Sequence, residues 1–196
     1  MSAMILLALS TTLAPGSALA GADSISWRID PGHSEVSFRI RHFVSRVRGR
    51  FDRWQGAIVA DPADLANGSV EVTIQAASIN TAHERRDNDL RSANFFLVDS
   101  FPTITFKSRT VEVRDSTLRI TGDLTIKNVT REVVLDGEYL GSSGRPEPRR
   151  QRLGFTAATR IDRTDFGIVW NRAVEGGGVM LGDEVEIEIS IEAIRQ

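Results

Sequence analysis

The segment EVEIEISIEAI, Glu184 to Ile194, alternates strictly. Val185, Ile187, Ile189, Ile191 and Ala193 fall on one side, and Glu184, Glu186, Glu188, Ser190 and Glu192 on the other. A period of two is the pattern of a half-buried strand. It returns in EVSFRIRH (Val36, Phe38, Ile40), SVEVTIQA (Val70, Val72, Ile74), TITFKS (Ile104, Phe106), TLRITGDLTI (Leu118, Ile120, Leu124, Ile126) and RLGFTAATRI (Leu153, Phe155, Ala157), and again in GAIVAD and REVVLDGEYLG. Turn residues separate these runs, so eight to ten strands are expected. No βαβ rhythm is present, and the sheet is therefore predicted to be antiparallel. One apolar face per strand needs a partner, which a sandwich or a closed barrel supplies. Phe38, Ile40, Val72, Ile74, Ile104, Phe106, Leu124 and Phe155 are predicted to point inward.

Two short helices are predicted between the strands. Asp61-Pro62-Ala63-Asp64 offers an N-cap, a proline at the first helical position and an early acid, with Gly68 as a stop. Thr81-x-x-Glu84 reads as a capping box. It starts a helix to about Ala93 whose outer side carries Arg85, Arg86 and Asp87 and whose apolar end is Leu90, Phe95 and Phe96. GSSGRPEPRRQR, Gly141 to Arg152, reads as a basic loop.

The first twenty residues, MSAMILLALSTTLAPGSALA, carry no charge. An apolar run, a Pro15-Gly16 break and Ala18-Leu19-Ala20 predict a secretory signal peptide over residues 1–20, cleaved after Ala20, although its start has no Lys or Arg. Residues 21–196 then form one domain, and no second stretch is apolar enough for a stable membrane span. Charged residues make up 26% of the chain, hydrophobic ones 41%, and the net charge is −2. These values describe a globular protein and argue against a general nucleic-acid binder. There is no cysteine, which removes disulfides and thiolate chemistry.

Chemistry-bearing motifs are sparse. His33, His42 and His83 have no metal-ligand spacing, so no metal site is expected. No Gly-x-Ser-x-Gly elbow accompanies them. RIRHFVSRVRGRFDR carries Arg39, Arg41, Arg46, Arg48, Arg50 and Arg53 against Asp52. Arginine suits phosphate, so the stretch fits an anionic head group or membrane surface; alternation equally predicts a strand pair with outward, solvated charges. Eleven of the thirteen aromatic residues gather in Phe38–Trp54, Phe95–Phe106 and Phe155–Trp170. Either they fill an ordinary core or they line a barrel that holds an apolar ligand; eight strands leave room for one small ligand.

The blocks WRIDPGHSEVSFRIRHF, VRGRFDRWQG, INTAHERRDNDLRSANFF, FPTITFKS, GDLTIKNVTREV, DRTDFGI and LGDEVEIEISIEA resemble, in order, the YceI-like family of exported bacterial proteins. The resemblance covers nearly all of residues 21–196. It implies an all-β, antiparallel lipocalin-like barrel of about eight strands with one or two short helices. It also implies a periplasmic carrier or store for a long isoprenoid, a quinone or a polyprenyl lipid, with no cofactor and no enzymatic activity; a homodimer is left open. The wall expected around such a ligand comprises Phe38, Ile40, Phe51, Trp54, Ile74, Ile104, Phe106 and Phe155. Phe101 and Phe166 are also expected to contact the ligand, and Leu90, Phe95 and Phe96 to close over its end. Two positions depart from the family: Asp89 stands where histidine is usual and Asn94 where aspartate is. Asn128 replaces a usual glycine, a change a left-handed turn tolerates.

Two other functions remain open on the residues alone. One is an enzyme acting on a lipid or its head group through His33, His42 or Asp87. The other is a non-binding exported stress or adhesion module with a filled core. An outer-membrane barrel also alternates by two, but it turns apolar residues outward between aromatic girdles, which the charged helix and the ending EAIRQ do not fit.

Overall fold

The computed structural model describes residues 25–145, 147 and 150–196. The segment read as a signal peptide, with its cleavage point, lies outside the described residues. Eleven strands form one antiparallel sheet: β1 (Ser26–Ile29), β2 (Glu35–His42), β3 (Ser45–Phe51), β4 (Trp54–Asp61), β5 (Asp64–Gln75), β6 (Ile79–Asn80), β7 (Thr103–Arg114), β8 (Thr117–Ile126), β9 (Val129–Ser143), β10 (Arg152–Asp162) and β11 (Leu181–Arg195). One helix, α1 (Glu84–Arg91), precedes β7.

The eleven segments make eight staves. A one-turn 3-10 helix, Pro31–His33, interrupts a single long stave into β1 and β2; Asp30 caps it by accepting from the Gly32 amide. Asp52-Arg53 likewise breaks the next stave into β3 and β4. β1 pairs with β4 and β2 with β3, so the two broken staves run together. β11 closes the ring, bonded to β10 on one side and to β2 and β1 on the other. This is the predicted closed eight-stave barrel.

Alternation sets its inside. All eight side chains predicted to face inward do so. Pairing shifts between Ser108 and Thr110 of β7. Inward positions there change from Ile104 and Phe106 to Val111, as a bulge requires. Two inward positions are glycine because a ring lies over them. A Cβ on Gly49 would come within 2.4 Å of Phe38 Cζ, and one on Gly122 within 2.6 Å of Phe106 Cζ.

The barrel has two ends. At the floor, Trp27, Leu153 and Ala193 are fully buried, and Trp27 Nε1 donates to the Ala60 carbonyl at 2.9 Å. The other end, the mouth, carries the β2–β3 hairpin tip, α1 with the loop behind it, the β8–β9 turn and the 163–180 crossing.

Three local expectations are corrected. Asp61–Asp64 is a hairpin turn, not a helix start. Asp61 Oδ1 accepts from the Ala63 amide, and Asp61 faces Asp64 across the β4–β5 ladder. An aspartate before proline serves either structure, and here the neighbouring strand decides. α1 is capped by His83, whose Nδ1 accepts from the Arg86 amide at 3.3 Å, and it ends at Arg91. Thr81 lies outside the helix and Asp87 is buried rather than solvated, because the two bind each other. At the β8–β9 turn, Lys127 takes the left-handed conformation (φ 56°), and Asn128 does not.

Candidate functional site

Inward side chains from every stave surround a cavity of about 380 Å³. That size lies within the range of small-molecule sites. The cavity runs from Ala60, Leu65 and Leu118 above the floor to Leu90, Phe95 and Phe96 under the mouth. Its wall is aliphatic and aromatic almost throughout. Polar groups reach it at a few points, among them Ser37, Ser69, Thr156 and Thr159 along the staves and His42, Arg86 and Asp89 at the mouth. The interior is therefore not filled by its own side chains.

Of the residues expected around a ligand, Phe38, Ile40, Phe51, Trp54, Ile74, Leu90, Phe95, Phe96, Ile104, Phe106 and Phe155 stand on the cavity wall. Phe101 and Phe166 do not. Phe166 ends the 3-10 turn Arg163–Phe166 and is buried in one cluster with the wall residues Ile168 and Leu181, but does not itself line the cavity. Phe101 sits half-buried on the turn after α1, its amide bonded to Leu97 O. Neither residue lies in a strand, so no alternation fixed its direction. Sequence reasoning left several aliphatic wall positions off the expected set, such as Val36, Ile58, Leu135 and Ile187, although their strands carry the same period of two. It also missed Trp170 and Met180, which reach the wall from the irregular 163–180 crossing and carry no periodic signal.

The mouth is roofed by aromatic contacts. Phe96 meets Phe51 edge-on with centroids 6.1 Å apart, and Phe95 tilts against Trp170 at 5.4 Å. Polar bonds hold this roof in place. Asp87 Oδ1 accepts from both the amide and the hydroxyl of Thr81. Arg86 donates from Nε to Thr81 Oγ1 at 2.7 Å and from Nη2 to Thr81 O at 2.9 Å. Arg91 donates to the carbonyls of Ala77 and Ile79. Buried Arg163 binds the carbonyls of Gly182, Ile168 and Trp170 and the Asp183 carboxylate, fixing the 163–180 crossing. At the two departures from the family pattern, Asn94 Nδ2 donates to Asp89 Oδ1 at 3.1 Å. The two departing positions thus bond each other, a neutral donor on a carboxylate.

The mouth also holds two carboxyls below their ordinary range. Asp52 is lowered first by the Asn80 amide and then by Arg50, and Asp162 by the hydroxyl and backbone amide of Thr164.

The three histidines are dispersed. His33 lies on the outer wall, its Nδ1 3.0 Å from Asp30 Oδ2. His83 caps α1. His42 lies on the cavity wall, edge-on to Phe43 at 4.8 Å. Among the described residues, Asp30, His33 and Glu192 bring ligand-type atoms within 4.8 Å of one another. Arg152 binds both carboxylates there, so the group already holds a cation. The His33 contact, ahead of Arg152, keeps the Asp30 carboxyl low. The Asp87 carboxylate is engaged by Thr81.

A closed antiparallel barrel with an apolar lumen and a helical roof defines the class of protein. The chain belongs to the YceI-like family, whose domain model matches residues 27–193. A UPF0312 protein of Staphylococcus aureus (strain MSSA476) is 40% identical over 168 residues, covering 85% of this chain and 96% of its own. The crystal structure of Burkholderia cenocepacia BcnA superposes with a TM-score of 0.74 at 22% identity, over 84% of this chain and 98% of that one. A polyisoprenoid binding domain from Saccharophagus degradans has a TM-score of 0.64 at 13% identity, covering 88% and 99%. At such identities these two share the fold.

Proposed function

We propose that the barrel binds a long isoprenoid lipid, a quinone or a polyprenyl lipid, inside the cavity and carries or stores it outside the cytoplasm. The observation behind this is the cavity itself: about 380 Å³ of space enclosed by apolar side chains of a closed barrel. Burial supplies the affinity, since each buried methylene contributes about 0.8 kcal/mol. A branched, flexible chain suits a wall of Ile, Val, Leu and Phe with few polar partners. The likeness to a polyisoprenoid binding domain supports the choice of ligand, and the uncharged leader read at residues 1–20 supports export into the periplasm. The reading is binding rather than turnover: of the residues an enzyme would use here, His33 lies off the cavity, the Asp87 carboxylate is taken up by Thr81, and His42 alone reaches the wall. The test is organic extraction of protein purified natively from its own host, followed by mass spectrometry. Recovery of a prenyl-chain lipid in defined stoichiometry is expected. An extract without lipid, from protein that also fails to take up added prenyl lipid, would refute the reading.

A further inference from the structure

The β2–β3 hairpin ends in a two-residue turn, Phe43-Val44, between paired His42 and Ser45. Val44 is fully exposed and Phe43 is 40% exposed. Phe43 also takes a left-handed conformation, φ 52°, that glycine or asparagine would adopt with less strain. Neither solubility nor turn geometry accounts for this pair. Beside it stands Val179, 43% exposed. Hydrogen bonds join the two segments: the Phe43 amide donates to Met180 O at 2.8 Å, and Arg41 Nη1 donates to the carbonyls of both Phe43 and Val179. Three exposed apolar residues thus sit on two bonded segments, an apolar knob at the mouth.

Behind the knob the outward face of the hairpin is basic in an unfavourable way. Arg41 faces Arg46 across the ladder and Arg39 faces Arg48. Like charges directly opposite destabilise a sheet. Glu186 and Glu188 of β11 relieve Arg39, and Glu186 relieves Arg46. Among the described residues, Arg41 and Arg48 have no carboxylate partner. The neighbouring acids Asp183 and Glu184 are already paired with Arg163 and Arg160.

We infer that the β2–β3 tip seats the barrel mouth on the anionic surface of a lipid bilayer. Phe43, Val44 and Val179 match the acyl boundary, and the arginines one step back match head-group phosphates. A second copy of the chain fits worse, since a two-fold contact would set the same arginines against each other. His42, the residue before the knob, lies on the cavity wall, so docking there brings the mouth to the membrane. The inference does not rest on what the cavity holds, because the knob lies outside it and delipidated protein should dock equally.

The experiment is co-sedimentation of delipidated protein with vesicles of phosphatidylcholine alone or mixed with phosphatidylglycerol, at rising salt. Wild type should partition onto the anionic vesicles, less so as salt rises. Val44→Asp should reduce that partition by roughly tenfold or more. Arg48→Glu should reduce it about fivefold or more without lowering the melting temperature, since it relieves the clash with Arg39. Leu140→Asp, at an exposed apolar residue toward the floor end of β9, should leave partition unchanged. Equal binding to both vesicle types, or equal loss in Val44→Asp and Leu140→Asp, would overturn the inference. So would an absence of vesicle binding combined with a concentration-dependent dimer that Val44→Asp abolishes, which would make a second copy the occupant.

Discussion

At the floor, Trp27, Leu153 and Ala193 leave no exposed surface, and the indole is tied to a backbone carbonyl. At the mouth, a helix, a loop and an irregular crossing cover the opening through edge-on and tilted ring contacts. The same alternating staves supply both ends. The two ends differ in how the staves are connected beyond their last inward residues. The floor has the tight β4–β5 and β7–β8 turns, and β1, β10 and β11 meet there over one tryptophan, whereas at the mouth the long 76–102 and 163–180 connections lay separate pieces across a gap. Rigidity at the floor comes from close packing. Closure at the mouth comes from polar bonds among a few side chains and backbone groups.

The sharpest way to break this contrast is at the floor. Trp27→Ala should cost about 3–5 kcal/mol and leave the Ala60 carbonyl without its donor, as denaturant titration would measure. A loss near that of an average surface change would mean the floor is not packed as described. Phe106→Gln on the cavity wall should cost about half as much, because water can meet the amide. Thermal melting of delipidated protein beside lipid content by mass spectrometry should show a folded barrel that has lost its ligand. A collapse equal to that of Trp27→Ala would indicate a filled core instead.

Smaller effects sharpen the mouth. Thr81→Val removes the hydroxyl shared by Asp87 and Arg86 and should cost about 1–2 kcal/mol. Hydrogen exchange should rise in α1 while the floor strands stay protected. Acid should act most gently. Asp52 and Asp162 titrate below their ordinary range, so the stability they add is present above about pH 4 and lost as pH falls through their lowered values. Protection factors, corrected for the intrinsic pH dependence of exchange, should therefore fall near residues 79–91 and 163–168 on acidification before the floor opens, and Asp162→Asn should blunt the second of these.

Most of the barrel was legible because a period of two is physical: one face of each strand must be dry. Inward Phe38, Ile74, Phe106 and Phe155 follow from it directly. The mouth was less legible because its segments obey no period. Thr81 and Glu84 match a capping box in spacing, yet His83 caps the helix and Thr81 holds Asp87. Asp61-Pro62 carries cues shared by a helix start and a tight turn, and only the pairing of β4 with β5 separates them. Phe166 and Trp170 lie four residues apart in one crossing, one off the cavity wall and the other on it, and nothing local distinguishes them.

The seam has a kinetic consequence. β11 is the partner of β10, β2 and β1 at once, and its pairing sets Arg195 opposite Trp27. Seven staves can form a meander of neighbouring hairpins, but that sheet keeps two bare edges until the eighth arrives. Ring closure thus joins the most distant parts of the sequence last, which places the barrel among slow-folding, high-contact-order topologies. During that interval the open edges are templates for another chain. A chain with this seam gains from staying unfolded until β11 is available, as a chain threaded across a membrane does.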